Sequence, residues 1–262
     1  MTLKTRIIPI VLYRGAEAFK GKQFKSWRST GSVVSAVKVH AHREVDELCI
    51  LDIGATPNYR EPDFQLIADL AGNCFCPLTV GGGIRTLEHF RLALANGADK
   101  VAVNTAALED QDLIRAAAEK FGKQAVVVSI DVAQGKFVAV NAGQRAYIRR
   151  DPVMFAREVE NLGAGEILLN SVERDGMMCG YDLDMIARVA AAVSIPVIAC
   201  GGAGSYEDFH EALKHGAHAV AAGALFDFTD ATPSGAALFL AERGVPVRLD
   251  AVPAEMRAKR SI

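Results

Sequence analysis

The strongest constraint on this chain is an alternation. Short apolar, β-branched runs recur, and each is followed by a longer amphipathic stretch. Candidate strands fall at 6–12, 47–53, 77–80, 100–104, 125–131, 166–171, 196–200 and 219–223. Helical patterns lie between them, among them 156–164, 184–193 and 207–216. In the last, Phe209, Ala212 and Leu213 share one face and Gly216 supplies a stop. Apolar strands alternating with helices imply a parallel sheet covered by helices on its faces. Eight such units in 262 residues predict an α/β fold of the (β/α)₈ TIM-barrel type. An open doubly wound sheet would use fewer strands and carry a G-x-G-x-x-G turn after the first, which is absent.

The chain also repeats itself. Residues 79–108 line up with 199–226 at an offset of about 120, placing Gly81-Gly82-Gly83 on Gly201-Gly202-Ala203 and Asn96-Gly97-Ala98 on His215-Gly216-Ala217. Leu51-Asp52-Ile53 falls near Leu169-Asn170-Ser171. A period this long is half a barrel present twice rather than a solenoid repeat. No linker interrupts it, so residues 1–250 are expected to form a single barrel domain, with 251–262 as a polar C-terminal tail.

Composition narrows the function. Lys plus Arg is 29 and Asp plus Glu is 31, a net charge of −2. Nucleic-acid or anionic-membrane binding has no electrostatic footing. No apolar run is long enough to cross a membrane, and the N-terminus lacks a signal-peptide pattern. The five cysteines read as reduced, mostly buried thiols of a cytoplasmic protein, and Cys74 and Cys76 do not have zinc-site spacing. No metal or cofactor is expected.

Barrel active sites lie at the C-terminal ends of the strands. Glycine turns at 81–83 and 201–204 stand there, one per half. Each is paired with a small-residue turn, Asn104-Thr105 or Gly223-Ala224. Backbone N–H groups in such turns converge on an anion. Two in register suggest a ligand with a phosphate at each end; the alternative is glycine serving tight turns only. Asp131 closes a very apolar strand, as a mouth acid or base would, or as a cap or ion-pair residue. Asp175, in a loop with Gly176, reads as a proton-transfer or turn residue, and Asp52 as a substrate-binding or structural one. The repeat sets Leu12 opposite Asp131, so a pair of facing carboxylates is absent. At the other end, Arg6, Glu47, Lys100 and Glu166 stand at strand starts with alternating signs. By geometry such a ring serves as a salt-bridged plug.

Several segments together resemble the cyclase subunit of imidazole glycerol phosphate synthase (HisF). They are RII at 6–8, VDEL at 45–48, LDI at 51–53, VGGGI at 80–84, GADKV at 97–101, NTAA at 104–107, FGKQAVVVSID at 121–131, GAGEILLNSVERDG at 163–176, GYD at 180–182 and GGAG at 201–204. The resemblance runs from Arg6 to about Leu249. It implies a (β/α)₈ barrel binding a bis-phosphorylated substrate. Phosphate-site positions would be Gly82, Asn104, Thr105, Gly176, Gly202, Gly223 and Ala224, with Lys20 as the loop lysine. Asp131 and Asp175 would be the catalytic acids. Arg6, Glu47, Lys100 and Glu166 would gate ammonia delivered by a glutaminase subunit docked under the N-terminal face.

One departure matters: Leu12 holds the family's first catalytic Asp position. With RIIP-x-x-L, the run 43–53 and the segment 58–64, the chain is more similar to a HisF paralogue associated with acetamidino-sugar assembly for surface polysaccharides. Three functions follow as expectations: an ammonia-conducting paralogue, a working cyclase in which Asp52 or Asp175 replaces the missing acid, or a non-catalytic phosphate-binding scaffold for the glutaminase.

Overall fold

In the strand β1 (Arg6–Arg14), Ile8, Ile10 and Leu12 join one apolar cluster while Ile7, Val11 and Tyr13 join another. That period of two is what a strand with both faces covered requires. The structure is a computed structural model and describes residues 4–43, 45–134, 136–141, 144–148, 150–250 and 252. The remaining elements, in chain order, are β2 (Glu17–Lys22), β3 (Ser26–Ser32), α1 (Val33–His42), β4 (Leu48–Asp52), α2 (Phe64–Ala71), β5 (Leu78–Gly81), α3 (Leu87–Ala95), β6 (Lys100–Val103), α4 (Thr105–Glu109) and α5 (Asp112–Phe121). They continue with β7 (Val126–Ala133), β8 (Lys136–Asn141), β9 (Gln144–Ile148), α6 (Pro152–Asn161), β10 (Glu166–Ser171), α7 (Leu183–Ala190), β11 (Val197–Cys200), α8 (Tyr206–Lys214), β12 (Ala219–Ala222), α9 (Ala224–Phe228) and α10 (Pro233–Glu242).

Strands β1, β4, β5, β6, β7, β10, β11 and β12 pair in parallel in that order, and β12 pairs back onto β1. The expected (β/α)₈ barrel is therefore present. Six of its described helices begin at side-chain caps that accept from first-turn N–H groups: Asp63, Thr86, Asp151, Asp182, Ser205 and Thr232. The stop expected at Gly216 is a left-handed glycine (φ 98°) just beyond α8, which ends at Lys214.

Two antiparallel hairpins were not anticipated. β2–β3 extends β1 past the rim, and β8–β9 extends β7. The sequence hid β3 because nearly all of SWRSTGS is exposed, leaving no apolar alternation to read.

Strand register also corrects the repeat. Leu12 pairs Leu51 and Asp131 pairs Asn170; Leu51 pairs Gly81, and the counterpart strands join Asn170 to Cys200. Equivalent positions are thus 119 apart, so Gly82 and Gly83 match Gly201 and Gly202, not Gly202 and Ala203. All four have positive φ, from 72° to 122°. Identical letters pull a sequence alignment one residue off at these turns; hydrogen bonding decides the register. The same register confirms that Leu12 occupies the position equivalent to Asp131.

The expected tail, 251–262, lies outside the described residues except Val252, which is buried and donates its N–H to Leu249 O at 3.1 Å. Only Cys49 among the cysteines is buried; Cys74, Cys76 and Cys200 are half-buried and Cys179 is exposed, a correction to the expected mostly buried set. No described helix is long and apolar enough to cross a membrane.

Candidate active site

Inward-facing residues stack in layers along the barrel axis because each parallel strand contributes every second side chain. At the strand starts, Arg6 donates to Glu47 Oε2 (Nη1, 2.5 Å) and pairs with Glu166 Oε1 (Nη2, 2.8 Å). Lys100 Nζ reaches Glu47 Oε2 at 2.9 Å and Glu166 Oε2 at 3.0 Å. The four charges close into one cycle, with Thr79 Oγ1 donating to Glu47 Oε1 at 2.6 Å. Above the ring lie Ile8, Cys49, Val127, Ile198 and Ala219, then Ile10, Ala102, Leu168 and Ala221, all in one buried apolar cluster.

Above that layer the mouth opens into a cavity of about 600 Å³. The residues the sequence singles out for the site line it: Lys20, Asp52, Gly82, Asn104, Thr105, Asp131, Asp175, Gly176, Gly202, Gly223 and Ala224, whereas Gly81 and Gly204 of the two turns do not. Leu12 lines it too. The β2–β3 hairpin folds over the opening. Gln23 N donates to Asp175 O at 2.9 Å and Gln23 Nε2 to Glu173 O at 2.8 Å. A Cβ on Gly176 would fall 1.9 Å from Gly21 O, so only glycine allows this approach of loop and hairpin.

Asp131 is 7 % exposed. Asn170 Nδ2 donates to its Oδ1 and Asn104 Nδ2 to its Oδ2, both at 3.0 Å. Asn104 therefore serves Asp131 as well as lining the anion turn, and Asn170, which the sequence marks only through the repeat, is its second partner. Burial pushes the Asp131 carboxyl up to about 7, with Asp175 adding to the rise and the two asparagines opposing it. Burial likewise raises Asp175 to about 6 against the pull of Lys20. Asp175 Oδ2 and Asn170 Oδ1 are buried without a hydrogen-bond partner. Such atoms are acceptors available to a ligand that brings its own N–H or O–H.

Asp52 is engaged elsewhere. Its Oδ1 accepts from Gly54 N (2.8 Å) and Ala55 N (3.0 Å), and its Oδ2 from Arg60 Nη2 (3.2 Å). It shapes the loop after β4, of the two roles the sequence left open. Lys20 is drawn inward: its Nζ donates to Ile10 O at 2.5 Å and pairs with Asp227 at 3.2 Å, against Gly223. Asn104 and Gly223 are equivalent N-cap positions of the short helices α4 and α9. Missed in the sequence was Arg14, whose guanidinium lies over Phe19 (5.4 Å) and Trp27 (5.0 Å) at the rim. Among the described residues, a His–carboxylate cluster of metal-ligand type, Glu207–His210–Glu211, lies on α8 rather than in the mouth; Glu211 pairs with Lys214 and Glu207 with Arg243.

The raised Asp131 pKa has a stability consequence. The folded state holds this proton more tightly than the unfolded chain, whose value lies near 3.8. Stability therefore falls as pH rises from about 4 to about 7. Asp131→Asn is expected to flatten that part of the pH–stability curve, seen in thermal melts between pH 4 and 8. An unchanged slope would show that Asp131 is not the titrating group.

Comparison with known proteins agrees with this architecture. Residues 6–232 match the family described as histidine biosynthesis protein. The imidazole glycerol phosphate synthase subunit HisF of Streptomyces coelicolor is 44 % identical over 251 residues, covering 95 % of this chain and all of that protein. Proteins of Campylobacter jejuni and Pseudomonas aeruginosa, both provisionally named imidazole glycerol phosphate synthase subunit hisF2, are each 43 % identical. They align over 249 and 231 residues, covering 94 % and 86 % of this chain and 99 % and 92 % of their own lengths. With a closed eightfold barrel, a mouth built from both half-barrels and relatives spanning nearly its whole length, the chain belongs to the histidine biosynthesis protein family as a HisF-type member.

Proposed function

We propose that this chain is the ammonia-using synthase subunit of a glutamine amidotransferase complex. It receives ammonia through its N-terminal face from a docked glutaminase. The observation that carries the reading is the closed quartet of Arg6, Glu47, Lys100 and Glu166 beneath an apolar interior that leads to the mouth. Neutral ammonia crosses an apolar layer at small cost, whereas an ion there loses several kcal/mol of hydration, about the penalty of burying a charge. At the mouth the unpartnered acceptors on Asp175 and Asn170 meet a ligand that carries N–H groups. The two equivalent glycine turns, at Gly82–Gly83 and Gly201–Gly202, fit a ligand with a phosphate at each end.

Leu12 directs the finer reading. An alkyl side chain cannot move a proton, so the acid–base pair expected of a ring-closing cyclase lacks one member. The subunit is then a paralogue that supplies ammonia for amidine formation in acetamidino-sugar assembly for surface polysaccharides. Two relatives carrying the hisF2 name support a separate branch. A cytoplasmic setting belongs to this proposal, since all five thiols are free. The second reading, a working cyclase, is favoured by one observation: Asp175 has a free buried oxygen and a raised pKa, as a substitute acid would.

Lys100→Met in the complete complex separates conduction from scaffolding. Glutamine-driven nitrogen transfer is expected to fall about tenfold or more, while the rate driven by added ammonium stays unchanged. If both rates are unaffected, the ring does not conduct, and a phosphate-binding scaffold becomes the better account.

A further inference from the structure

The segment between α2 and β5 places two thiols side by side on the N-terminal face. Cys74 and Cys76 flank Phe75, which is 86 % exposed. Their Sγ atoms lie 3.5 Å apart, and Cys74 Sγ is 3.4 Å from Cys76 O. Both side chains are half-buried, so solvent reaches them. The adjoining backbone is anchored by Cys74 N to Ala71 O (3.0 Å) and Leu48 N to Pro77 O (2.9 Å), and no ladder bond fixes residues 75 and 76. To reach bonding distance, about 2.05 Å, the sulfurs must close by about 1.5 Å. None of the barrel chemistry uses this pair.

We infer that Cys74 and Cys76 are a redox-active dithiol whose substrate class is the small-molecule disulfide. The Cys74 thiolate attacks one sulfur of an oxidant such as glutathione disulfide. The old S–S bond breaks, and one glutathione leaves with its electron pair. Cys76 then gives its proton to solvent and attacks the Cys74 sulfur of the mixed disulfide, expelling the second glutathione. The pair loses two electrons and two protons, and the oxidant becomes two thiols.

The order of attack follows from which thiol ionises first. The contact between the two thiols draws Cys74 down to about 7, with the Cys76 backbone acting in the same sense and partial burial and Asp99 opposing. The same contact pushes Cys76 up, with burial, the Cys74 charge and Glu47 acting in the same sense. Cys74 is therefore the nucleophile near neutral pH and Cys76 the resolving thiol. Once Cys74 is capped, the contact that restrained Cys76 is gone.

Position gives the pair a consequence. Pro77 O accepts from Leu48 N, so the dithiol sits one residue from the strand pairing beside Glu47 of the charged ring. Closing the disulfide fixes the backbone around exposed Phe75. If the glutaminase docks on this face, a step that rests on the proposed function, oxidation changes the surface the partner meets.

The test uses the full-length subunit, reduced, then exposed to glutathione disulfide at pH 7.5, quenched in acid, alkylated and mapped by peptide mass spectrometry. The expected product is a peptide holding residues 74 and 76 that has lost two hydrogens, with buried Cys49 alkylated only after unfolding. Cys76→Ser is expected to stop at a glutathione adduct on Cys74, and Cys74→Ser to leave Cys76 unmodified. Accumulation of the adduct on the natural chain without closure, or first reaction at Cys76, overturns the assignment. A second arm titrates the glutaminase subunit onto reduced and oxidised protein, with at least about a threefold change in affinity expected. Equal affinity overturns the coupling to docking. Failure of the reduced form to bind overturns the docking reading and leaves the thiol chemistry standing.

Discussion

Leu12→Asp is expected to raise ammonium-driven turnover of the linear bis-phosphate precursor of the histidine pathway by about 10²–10⁴-fold, the usual worth of a positioned acid or base. Leu12 faces the cavity, pairs Leu51 across β1 and β4, and holds the position equivalent to Asp131. Aspartate is smaller than leucine and is accommodated by the cavity. Its apolar neighbours Ile10 and Leu51 will raise its pKa, which suits a proton donor working near neutral pH. Release of the aminoimidazole by-product is the readout, and Leu12→Asn is the control, expected to stay at the starting rate. Turnover of the unmodified chain near that of a true cyclase would remove the paralogue reading. No gain in Leu12→Asp would mean that the missing carboxylate is not what silences ring closure.

Glu47→Gln is expected to destabilise the fold by about 3–5 kcal/mol, the cost of removing one partner from a buried ion pair. Glu47 is 2 % exposed and accepts from Arg6, Lys100 and Thr79. Burial alone would raise its pKa, but Arg6, Lys100 and the Thr79 and Lys100 hydrogen bonds together hold it below its ordinary 4.5. A carboxylate with a lowered folded pKa contributes fully above the unfolded value and loses that contribution as pH falls through the folded one. Denaturant melts of the two proteins should therefore differ at pH 7 and converge as pH falls below 4.5 and through the lowered folded value. A gap of equal size at pH 3 would show that the loss is one of packing rather than charge. This window is opposite in sense to that of Asp131, whose ionisation costs stability on the way up.

The barrel was legible because parallel strands buried on both faces are written as apolar runs; the run at 166–171 coincides with β10. The mouth was legible because glycines that tolerate positive φ are hard to replace, and they mark both half-barrels. The hairpins were not. β3 packs one side chain at most and presents the rest to solvent, so its pairing with β2 leaves no trace in hydropathy. The partners of Asp131 were hidden for another reason. Asn104 and Asn170 lie 27 and 39 residues from it, and only barrel closure between β7 and β10 and pairing of β6 with β7 bring them together. Asp52 looked like a mouth acid in the sequence; two backbone N–H groups from its own loop claim one of its oxygens and Arg60 the other.

Two cations alternating with two anions at the barrel floor amount to an electrical quadrupole of no net charge. Its field decays far more steeply than that of a one-signed collar, so it exerts little pull or push on distant ions. In the proposed conducting role, arrival of ammonia at this floor should thus be nearly indifferent to ionic strength, unlike sites that recruit by long-range attraction.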